Sequence, residues 1–111
     1  MSIQYSDFEK VDIRVGTVVE ANFNEKSNKP SLVLIVDFGK ELGLKKTSAQ
    51  LTKHYKPDDL IGKQVAAVTN FPPKQIGKMI SEVLVLGFPD EDNQPVLIMP
   101  TTKIENGGKL F

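Results

Sequence analysis

The feature that most restricts the fold of this sequence is a long segment, residues 12–23, in which apolar and polar side chains alternate. One face of this segment carries Ile13, Val15, Thr17, Val19, Ala21 and Phe23. The other face carries Asp12, Arg14, Gly16, Val18 and Glu20. A period of two predicts a half-buried β-strand. The glycine in the middle predicts a bulge or sharp coil, which allows one strand to serve two sides of a small barrel.

Further apolar segments predict the rest of a five-stranded set. Residues 32–38, 44–48, 64–69 and 83–86 are the other main strands, and residues 96–99 are an additional short strand stopped by Pro100. Residues 22–31 form a polar, turn-rich loop, and residues 39–43 form a turn. Helical character at residues 49–55 and 57–62 predicts one short helical region between the third and fourth strands.

The two ends of the chain are predicted to be short extensions. Ser6 and Glu9 have the spacing of a capping box, which predicts a short helix that ends near Val11. So short a helix is not stable alone, and it must pack Tyr5 and Phe8 on the core or on another subunit. The polar tail, residues 101–111, finishes on two apolar residues.

This order of elements predicts an all-β fold. Five main strands with a helix between the third and fourth favour a five-stranded Greek-key barrel, the OB-fold, over a sandwich of about seven strands. With 111 residues the chain is predicted to form a single domain, residues 1–111.

The charge and composition restrict the partners. Fourteen basic and fourteen acidic residues cancel, so any binding of nucleic acid must come from local clusters of lysine and should be salt-sensitive. No apolar run approaches the ~20 residues that span a bilayer, which predicts no membrane insertion. The first residues lack the basic and apolar regions of a signal peptide, which predicts a cytoplasmic protein. The absence of cysteine excludes disulfides and thiolate metal sites.

Residues 70–87 combine a loop rich in binding groups with an apolar run. Phe71 precedes Pro72, which favours an extended conformation in which the ring projects from the loop. The alternative is that Phe71 plugs the core. The unbroken apolar run at residues 83–86 predicts a strand buried on both faces.

Several strings of the sequence are specific to one family. They are residues 12–16 (DIRVG), 60–65 (LIGKQV), 70–73 (NFPP) and 81–82 (SE). On these the chain resembles the tRNA-binding OB domain, which occurs alone and as an appendage of methionyl- and phenylalanyl-tRNA synthetases. Residues 7–10 (DFEK), 36–39 (VDFG), 48–50 (SAQ), 55–57 (YKP) and 81–87 (SEVLVLG) resemble the small chaperone-like CsaA branch of that family.

The resemblance implies partners as well as a fold. It implies an OB-fold, tRNA binding, a homodimer held by the terminal extensions through Tyr5, Phe8, Leu110 and Phe111, and, for the CsaA branch, binding of unfolded or pre-secretory polypeptides. Val83 and Leu84 stand where synthetase-type domains carry Gly-Met, and residues 24–29 differ from the His-Pro-Asn-Ala-Asp-Lys-type loop of those domains. Both differences leave room for the polypeptide-binding interpretation.

Two sets of candidate binding residues follow. For tRNA, lysines would contact phosphates, Phe71 would stack on a base, and polar side chains would donate or accept hydrogen bonds; the set is Lys29, Lys45, Lys46, Asn70, Lys74, Lys78, Ser81 and Glu82. The alternative is that the lysines keep edge strands soluble. For polypeptides, an apolar depression would include Phe38, Phe71, Ile76, Met79 and Ile80. The alternative is that Ile76 and Ile80 are core contacts.

Catalysis and metal binding are not predicted. One histidine, His54, and no cysteine leave few ways to activate a nucleophile, so the sequence favours a non-enzymatic binding protein. Residues 90–92 (DED) could supply oxygen ligands to calcium, but they lack the spacing and central glycine of an EF-hand loop, which favours a solvated turn. No glycine-rich phosphate loop precedes a helix, and no cofactor is expected.

Overall fold

The computed structural model describes residues 1–25 and 28–111. The strands in these ranges are β1 (Ile13–Phe23), β2 (Leu32–Asp37), β3 (Leu44–Ala49), β4 (Gln64–Val68), β5 (Lys74–Ile76), β6 (Met79–Ser81), β7 (Leu84–Val85), β8 (Gly87–Pro89) and β9 (Pro95–Leu97). The helices are α1 (Tyr5–Glu9), α2 (Gly39–Leu42) and α3 (Pro57–Leu60). No helix in the described part of the chain has the length and apolar character needed to cross a bilayer. The predicted polar loop at residues 22–31 includes residues 26 and 27, which lie outside the described residues.

Five strands form one antiparallel sheet in the order β3–β2–β1–β4–β7, and this sheet curls into a nearly closed barrel. Because β4 pairs with β1 rather than with β3, the connection is of the Greek-key type. The hairpins β5–β6 and β8–β9 pair separately from this sheet. The predicted all-β, OB-type barrel is therefore confirmed.

Strand β1 serves two sides of the barrel. Its first half, Ile13 to Thr17, pairs with β4, and its second half, Thr17 to Phe23, pairs with β2. Gly16 lies where β1 crosses closest to the core, because an added Cβ would lie 2.6 Å from Cγ1 of Val36 and 2.8 Å from Cδ1 of Phe38. The predicted two-sided strand is confirmed. The irregularity of pairing lies between Val18 and Glu20, however, and not at the glycine.

The predicted faces of β1 are wrong at several positions beyond Gly16, although Ala21 is buried as expected. Val18 was expected on the polar face and is fully buried, whereas Val19 was expected to face the core and is exposed. Phe23 was also expected to face inward, and its side chain is 58% exposed. Gly16 and Val18 face the core before the irregularity, and the shift in pairing between Val18 and Glu20 then places Ala21 inward. Phe23 has the same parity as Ala21 but is exposed because it lies at the end of the strand.

The barrel is sealed by side chains at the seam between β3 and the segment that ends β6. Glu82 N–H donates to the carbonyl of Lys46 (2.8 Å), and Lys46 N–H donates to Oε1 of Glu82 (3.0 Å). Ser48 N–H donates to Oγ of Ser81 (3.2 Å). Two side-chain oxygens thus satisfy β3 amides at a position where a neighbouring strand would otherwise supply carbonyls.

The core lies inside this barrel. Its fully buried large side chains include Leu32, Leu34, Val36, Phe38, Leu51, Leu60 and Val65. The predicted helix at residues 49–55 is wrong. Only one helical hydrogen bond forms there, from Tyr55 N–H to the carbonyl of Leu51 (3.1 Å), and the phenol oxygen of Tyr55 accepts from Leu97 N–H (2.9 Å). The helical region of this connection is α3.

Three other local predictions need correction. Helix α1 begins earlier than expected, because the carboxylate of Asp7 accepts from Gln4 N–H (2.9 Å) and caps it there instead of Ser6 with Glu9. The predicted turn at residues 39–43 contains α2. The fifth strand of the sheet, β7, is shorter than residues 83–86, and Leu84 on it is 50% exposed, because β7 lies at the edge of the sheet and packs on the core with one face.

The C-terminal tail runs along the start of β1. Gly107 N–H donates to the carbonyl of Val15 (2.8 Å), Val15 N–H donates to the carbonyl of Gly108 (3.0 Å), and Leu110 N–H donates to the carbonyl of Ile13 (2.8 Å). An added Cβ at Gly107, whose φ is +95°, would lie 2.6 Å from the carbonyl oxygen of Phe38. The tail thus holds the terminal residues beside α1.

Candidate nucleic-acid interface

A groove of about 860 Å³ lies between the end of β1 and the β5–β6 hairpin. One wall consists of Asn22, Phe23, Asn24, Glu25, Val33 and Lys46. The other wall consists of Pro73, Ile76, Lys78, Met79, Ile80 and Glu82. We call this surface the hairpin groove. It places an exposed aromatic ring, two ammonium groups and several apolar side chains around one opening.

The hairpin that forms the second wall is specified by its turn. Ile76 pairs with Met79, which leaves Gly77 and Lys78 as a two-residue loop. The φ of Gly77 is +63°, as the first central position of a type II′ turn requires. A side chain other than glycine would be strained there, so this glycine directs Lys78 and Met79 into the groove.

The structure brings together some of the predicted lysines and separates others. Lys46 and Lys78 line the hairpin groove, and Lys74 lines an adjacent cavity. Lys45 precedes Lys46 on β3 and therefore points to the opposite face of the strand. Neither Lys45 nor the exposed Lys29 is among the described residues that line the groove. Glu25 and Glu82 balance the two lysines of the lining, so the positive charge lies at specific points rather than across the surface.

The three polar residues predicted to contact tRNA have structural partners. Asn70 donates from Nδ2 to the carbonyl of Lys10 (2.7 Å) and accepts at Oδ1 from Asp12 N–H (3.0 Å). These two bonds fasten the loop after β4 to the segment between α1 and β1. Ser81 is buried and Glu82 is half-buried, and both satisfy amides of the barrel seam as described above.

The predicted apolar set is divided in the same way. Ile76, Met79 and Ile80 line the hairpin groove. Phe38 is 1% exposed and belongs to the core, so the prediction that it lines a surface depression is wrong. It is enclosed because β1 approaches it at Gly16 and the tail crosses its carbonyl at Gly107.

A second cavity of about 370 Å³, which we call the side pocket, lies on the other side of the hairpin. Its described lining is Phe71, Pro72, Lys74, Ile76, Leu84 and Glu82, with Ser48, Ser81 and Val83 at the seam. The ring of Phe71 is 53% exposed there, so it projects from the loop and does not plug the core. Ile76 and Glu82 line both cavities, which makes the hairpin a partition between two connected surfaces.

Sequence reasoning missed the first wall of the groove except for Lys46. Phe23, Val33 and the asparagines at positions 22 and 24 are not among the candidate residues, because the alternating pattern assigned Phe23 to the core. The available signal was the position of Phe23 at the end of a strand, directly before a polar loop, where a ring can project beyond the barrel.

The terminal residues form a separate apolar surface. Tyr5, Phe8, Leu110 and Phe111 line one cavity of about 330 Å³. The rings of Tyr5 and Phe8 lie with centroids 6.2 Å apart. Tyr5, Leu110 and Phe111 are exposed, and Phe8 is half-buried. The structure thus brings the four residues predicted to form a dimer interface into one place.

An ion pair supports the attachment of the tail. Nε of Arg14 donates to Oδ1 of Asp12 (2.6 Å), and Nη1 of Arg14 donates to the carbonyl of Gly107 (2.9 Å). Partial burial raises the pKa of Asp12, but hydrogen bonds from Arg14 and Thr69 and the charge of Arg14 outweigh it and hold this pKa below 3.8. The same pair raises the pKa of Arg14.

The only histidine of the chain joins two loops. Nε2 of His54 lies 2.7 Å from Oδ2 of Asp90, and Nζ of Lys53 donates to Asp90 (2.8 Å) and to Asp92 (2.6 Å). The hydrogen bond from Lys53, followed by the backbone N–H of Gln94, lowers the pKa of Asp90 well below its usual range. His54 therefore fastens the β3–β4 connection to the β8–β9 turn. No cluster of three or more metal-ligating residues occurs in residues 1–25 and 28–111.

Comparison with known proteins assigns the family. The family model described as "Putative tRNA binding domain" matches residues 13–109. A methionine–tRNA ligase of Porphyromonas gingivalis is 37% identical over 108 residues, which cover 97% of this chain and 15% of that enzyme. The chain thus spans a small part of the curated relatives that it matches.

Two solved structures match over the whole chain. The crystal structure of the chaperone CsaA from Bacillus anthracis str. Ames is 45% identical, has a TM-score of 0.94 and covers 100% of both chains. That of the CsaA chaperone protein from Picrophilus torridus is 46% identical, has a TM-score of 0.91 and covers 99% of this chain and 100% of that one. By the family model, the sequence identity and the shared barrel, this chain belongs to the tRNA-binding domain family.

Proposed function

We propose that the chain is a non-catalytic, cytoplasmic tRNA-binding protein that holds RNA in the hairpin groove. The observation that carries the proposal is that Lys46 and Lys78 line one groove together with the exposed Phe23. OB surfaces bind single strands by combining a cationic groove, which follows the phosphates, with aromatic rings on which bases stack. Membership of the family supports the same ligand.

The neutral net charge predicts a binding mode of few but well-placed contacts. With balanced charge, long-range attraction is weak, and affinity depends on the local lysines. Each phosphate contact adds ~0.7 to ~0.9 to the slope of log affinity against log salt concentration. A slope of small magnitude is therefore expected, and the lysines that carry it are those of the groove.

The test is the double variant Lys46→Ala/Lys78→Ala. We expect weaker tRNA binding and a salt slope that is smaller by roughly 1.5 units, measured by fluorescence anisotropy with labelled tRNA at several salt concentrations. The matched control is Lys63→Ala/Lys103→Ala, which removes the same charge from a separate cavity on the barrel. Equal loss in both double variants would show general attraction and no site in the groove.

We also propose that two subunits pair through their terminal residues. Tyr5, Leu110 and Phe111 expose apolar area in one place, which a second copy of the chain would cover. Pairing presents each groove twice, which raises the affinity for an extended RNA without additional charge on each subunit.

A second candidate function is binding of unfolded or pre-secretory polypeptides. The apolar side chains Ile76, Met79 and Ile80 in the hairpin groove favour it, and methionine adapts to unlike partners. The likeness to the CsaA chaperones supports it. An extended apolar peptide should bind with little dependence on salt and with a negative heat-capacity change, measured by calorimetry at several temperatures. A steep salt dependence without a heat-capacity change would exclude the apolar mode.

A further inference from the structure

We infer that the side pocket binds one unstacked nucleobase that carries an exocyclic amine, from a single-stranded segment of the RNA. This inference rests on the proposed RNA binding and adds to it the kind of segment and base. It follows from the ring of Phe71, the carboxylate of Glu82 and the ammonium group of Lys74, which line one cavity of about 370 Å³.

The backbone that carries Phe71 is held in position before any ligand arrives. Asn70, which precedes it, is fastened by two hydrogen bonds, and Pro72 and Pro73, which follow it, have fixed φ angles. The ring is nevertheless 53% exposed. An exposed ring on a rigid segment loses little conformational entropy when a base stacks on it. Leu84, which is 50% exposed in the same pocket, offers an apolar surface for the base.

Glu82 supplies an acceptor for the base. Its Oε1 accepts from Lys46 N–H (3.0 Å), while its Oε2 has no hydrogen bond to any residue in the described part of the chain. A carboxylate oxygen accepts hydrogen bonds and donates none. Cytosine, adenine and guanine each present an exocyclic amine as a donor. Uracil has no exocyclic amine, and its single base-edge donor, N3–H, lies between two carbonyl oxygens that the carboxylate repels.

The surroundings match a phosphate backbone that continues past the pocket. Lys74 lines the side pocket, and Lys46 and Lys78 line the hairpin groove. Because Ile76 and Glu82 belong to both cavities, a strand whose base enters the pocket continues across the hairpin into the groove. Positive charge thus lies on both sides of the proposed base position. A duplex, whose bases are stacked and paired, cannot fill the pocket in this way.

The experiment measures the binding of octaribonucleotides of cytidine, adenosine and uridine by fluorescence anisotropy at one low salt concentration. We expect the cytidine and adenosine oligomers to bind about tenfold more tightly than the uridine oligomer, as for a hydrogen bond to a charged group. Phe71→Leu should weaken all oligomers by roughly tenfold, since stacking of one base is lost.

The decisive variant is Glu82→Gln. The amide oxygen can still accept from Lys46 N–H and keep the seam, while the amide nitrogen replaces the free acceptor with a donor. The preference should therefore move toward uridine. The matched control is Glu25→Gln, which makes the same change of charge in the hairpin groove but outside the side pocket, and should keep the order of the bases. Thermal unfolding of each variant checks that it is folded.

Each other outcome overturns the inference. It is wrong if folded Glu82→Gln keeps the wild-type order of bases, or if Phe71→Leu leaves every affinity unchanged. It is also wrong if Phe71→Leu weakens an extended apolar peptide and none of the oligonucleotides, because the pocket then receives an apolar side chain. If Lys46→Ala/Lys78→Ala still weakens tRNA binding in these cases, the proposed function stands without the inference. If tRNA does not bind at all, both the proposed function and this inference are wrong.

Discussion

Replacing Ser81 by alanine tests whether this residue seals the barrel or contacts RNA. Its hydroxyl oxygen lies 2.9 Å from Oγ1 of Thr47 and accepts from Ser48 N–H at 3.2 Å. Oγ1 of Thr47 also donates to the carbonyl of Val83 (2.8 Å). Ser81 and Thr47 are both buried, at 8% and 1% exposure, so water cannot easily replace the lost hydroxyl.

The magnitude follows from the group left without a partner. Alanine removes the acceptor of Ser48 N–H, and an unsatisfied, partly buried donor costs about 1–3 kcal/mol. We therefore expect the free energy of unfolding to fall by about 2 kcal/mol. For a domain near 100 residues this lowers Tm by roughly 10 °C. Thr47 keeps its bond to the carbonyl of Val83, so the cost should not be larger.

The assay is thermal and urea unfolding of Ser81→Ala beside the control Ser48→Ala. The hydroxyl of Ser48 has one long contact, from Nδ2 of Asn24 at 3.5 Å, so its removal should change stability by less than about 0.5 kcal/mol. At a temperature where Ser81→Ala is folded, its tRNA affinity should equal that of the wild type, because the hydroxyl is bonded within the seam. Unchanged stability of Ser81→Ala, together with a loss of tRNA affinity, would refute the assignment of this residue to the seam.

Two further predictions concern the ends of the chain. Since the folded pKa of Asp12 lies below its ordinary value, the carboxylate stabilises the fold fully above pH 3.8 and loses this contribution as the pH falls through its folded pKa. The difference in unfolding free energy between the wild type and Asp12→Asn, measured by urea titration, should therefore shrink below pH 3.8. A difference that stays constant would contradict the ion pair with Arg14. Replacing Leu110 and Phe111 by serine keeps the backbone bond from Leu110 to the carbonyl of Ile13 but removes exposed apolar surface. If two subunits pair through these residues as proposed, light scattering should find a dimer for the wild type and a monomer for the variant at the same concentration. A dimer of unchanged strength would place the subunit contact elsewhere.

The sequence predicted the barrel because its strands are local patterns. The alternation of residues 12–23 and the apolar runs at residues 32–38 and 64–69 are visible without knowledge of their neighbours. The order of these segments restricts the topology to few choices. The proline after Phe71 likewise acts on adjacent backbone atoms, and the exposed ring agrees with that expectation.

Burial and pairing at longer range could not be predicted in the same way. Phe38 ends an apolar run and was assigned to a surface, but it is enclosed by Gly16 and Gly107, which are distant in sequence. In the sequence, Ser81 and Glu82 look like polar loop residues available for a ligand. In the structure, both side chains accept hydrogen bonds from amides of β3. A one-residue shift of register, as in β1, is invisible to a periodic pattern, and so is the position of Phe23 at the end of the strand, where it lines the groove.

Hydrogen–deuterium exchange of the protein, free and saturated with tRNA, tests the central claim most directly. If RNA lies in the hairpin groove, amides of the β5–β6 hairpin and of residues 22–25 should exchange more slowly in the complex. Residues 86–97, which contain the β8–β9 hairpin, should exchange at the same rate in both states. Protection confined to the β8–β9 hairpin, with the β5–β6 hairpin unchanged, would contradict the placement of the site.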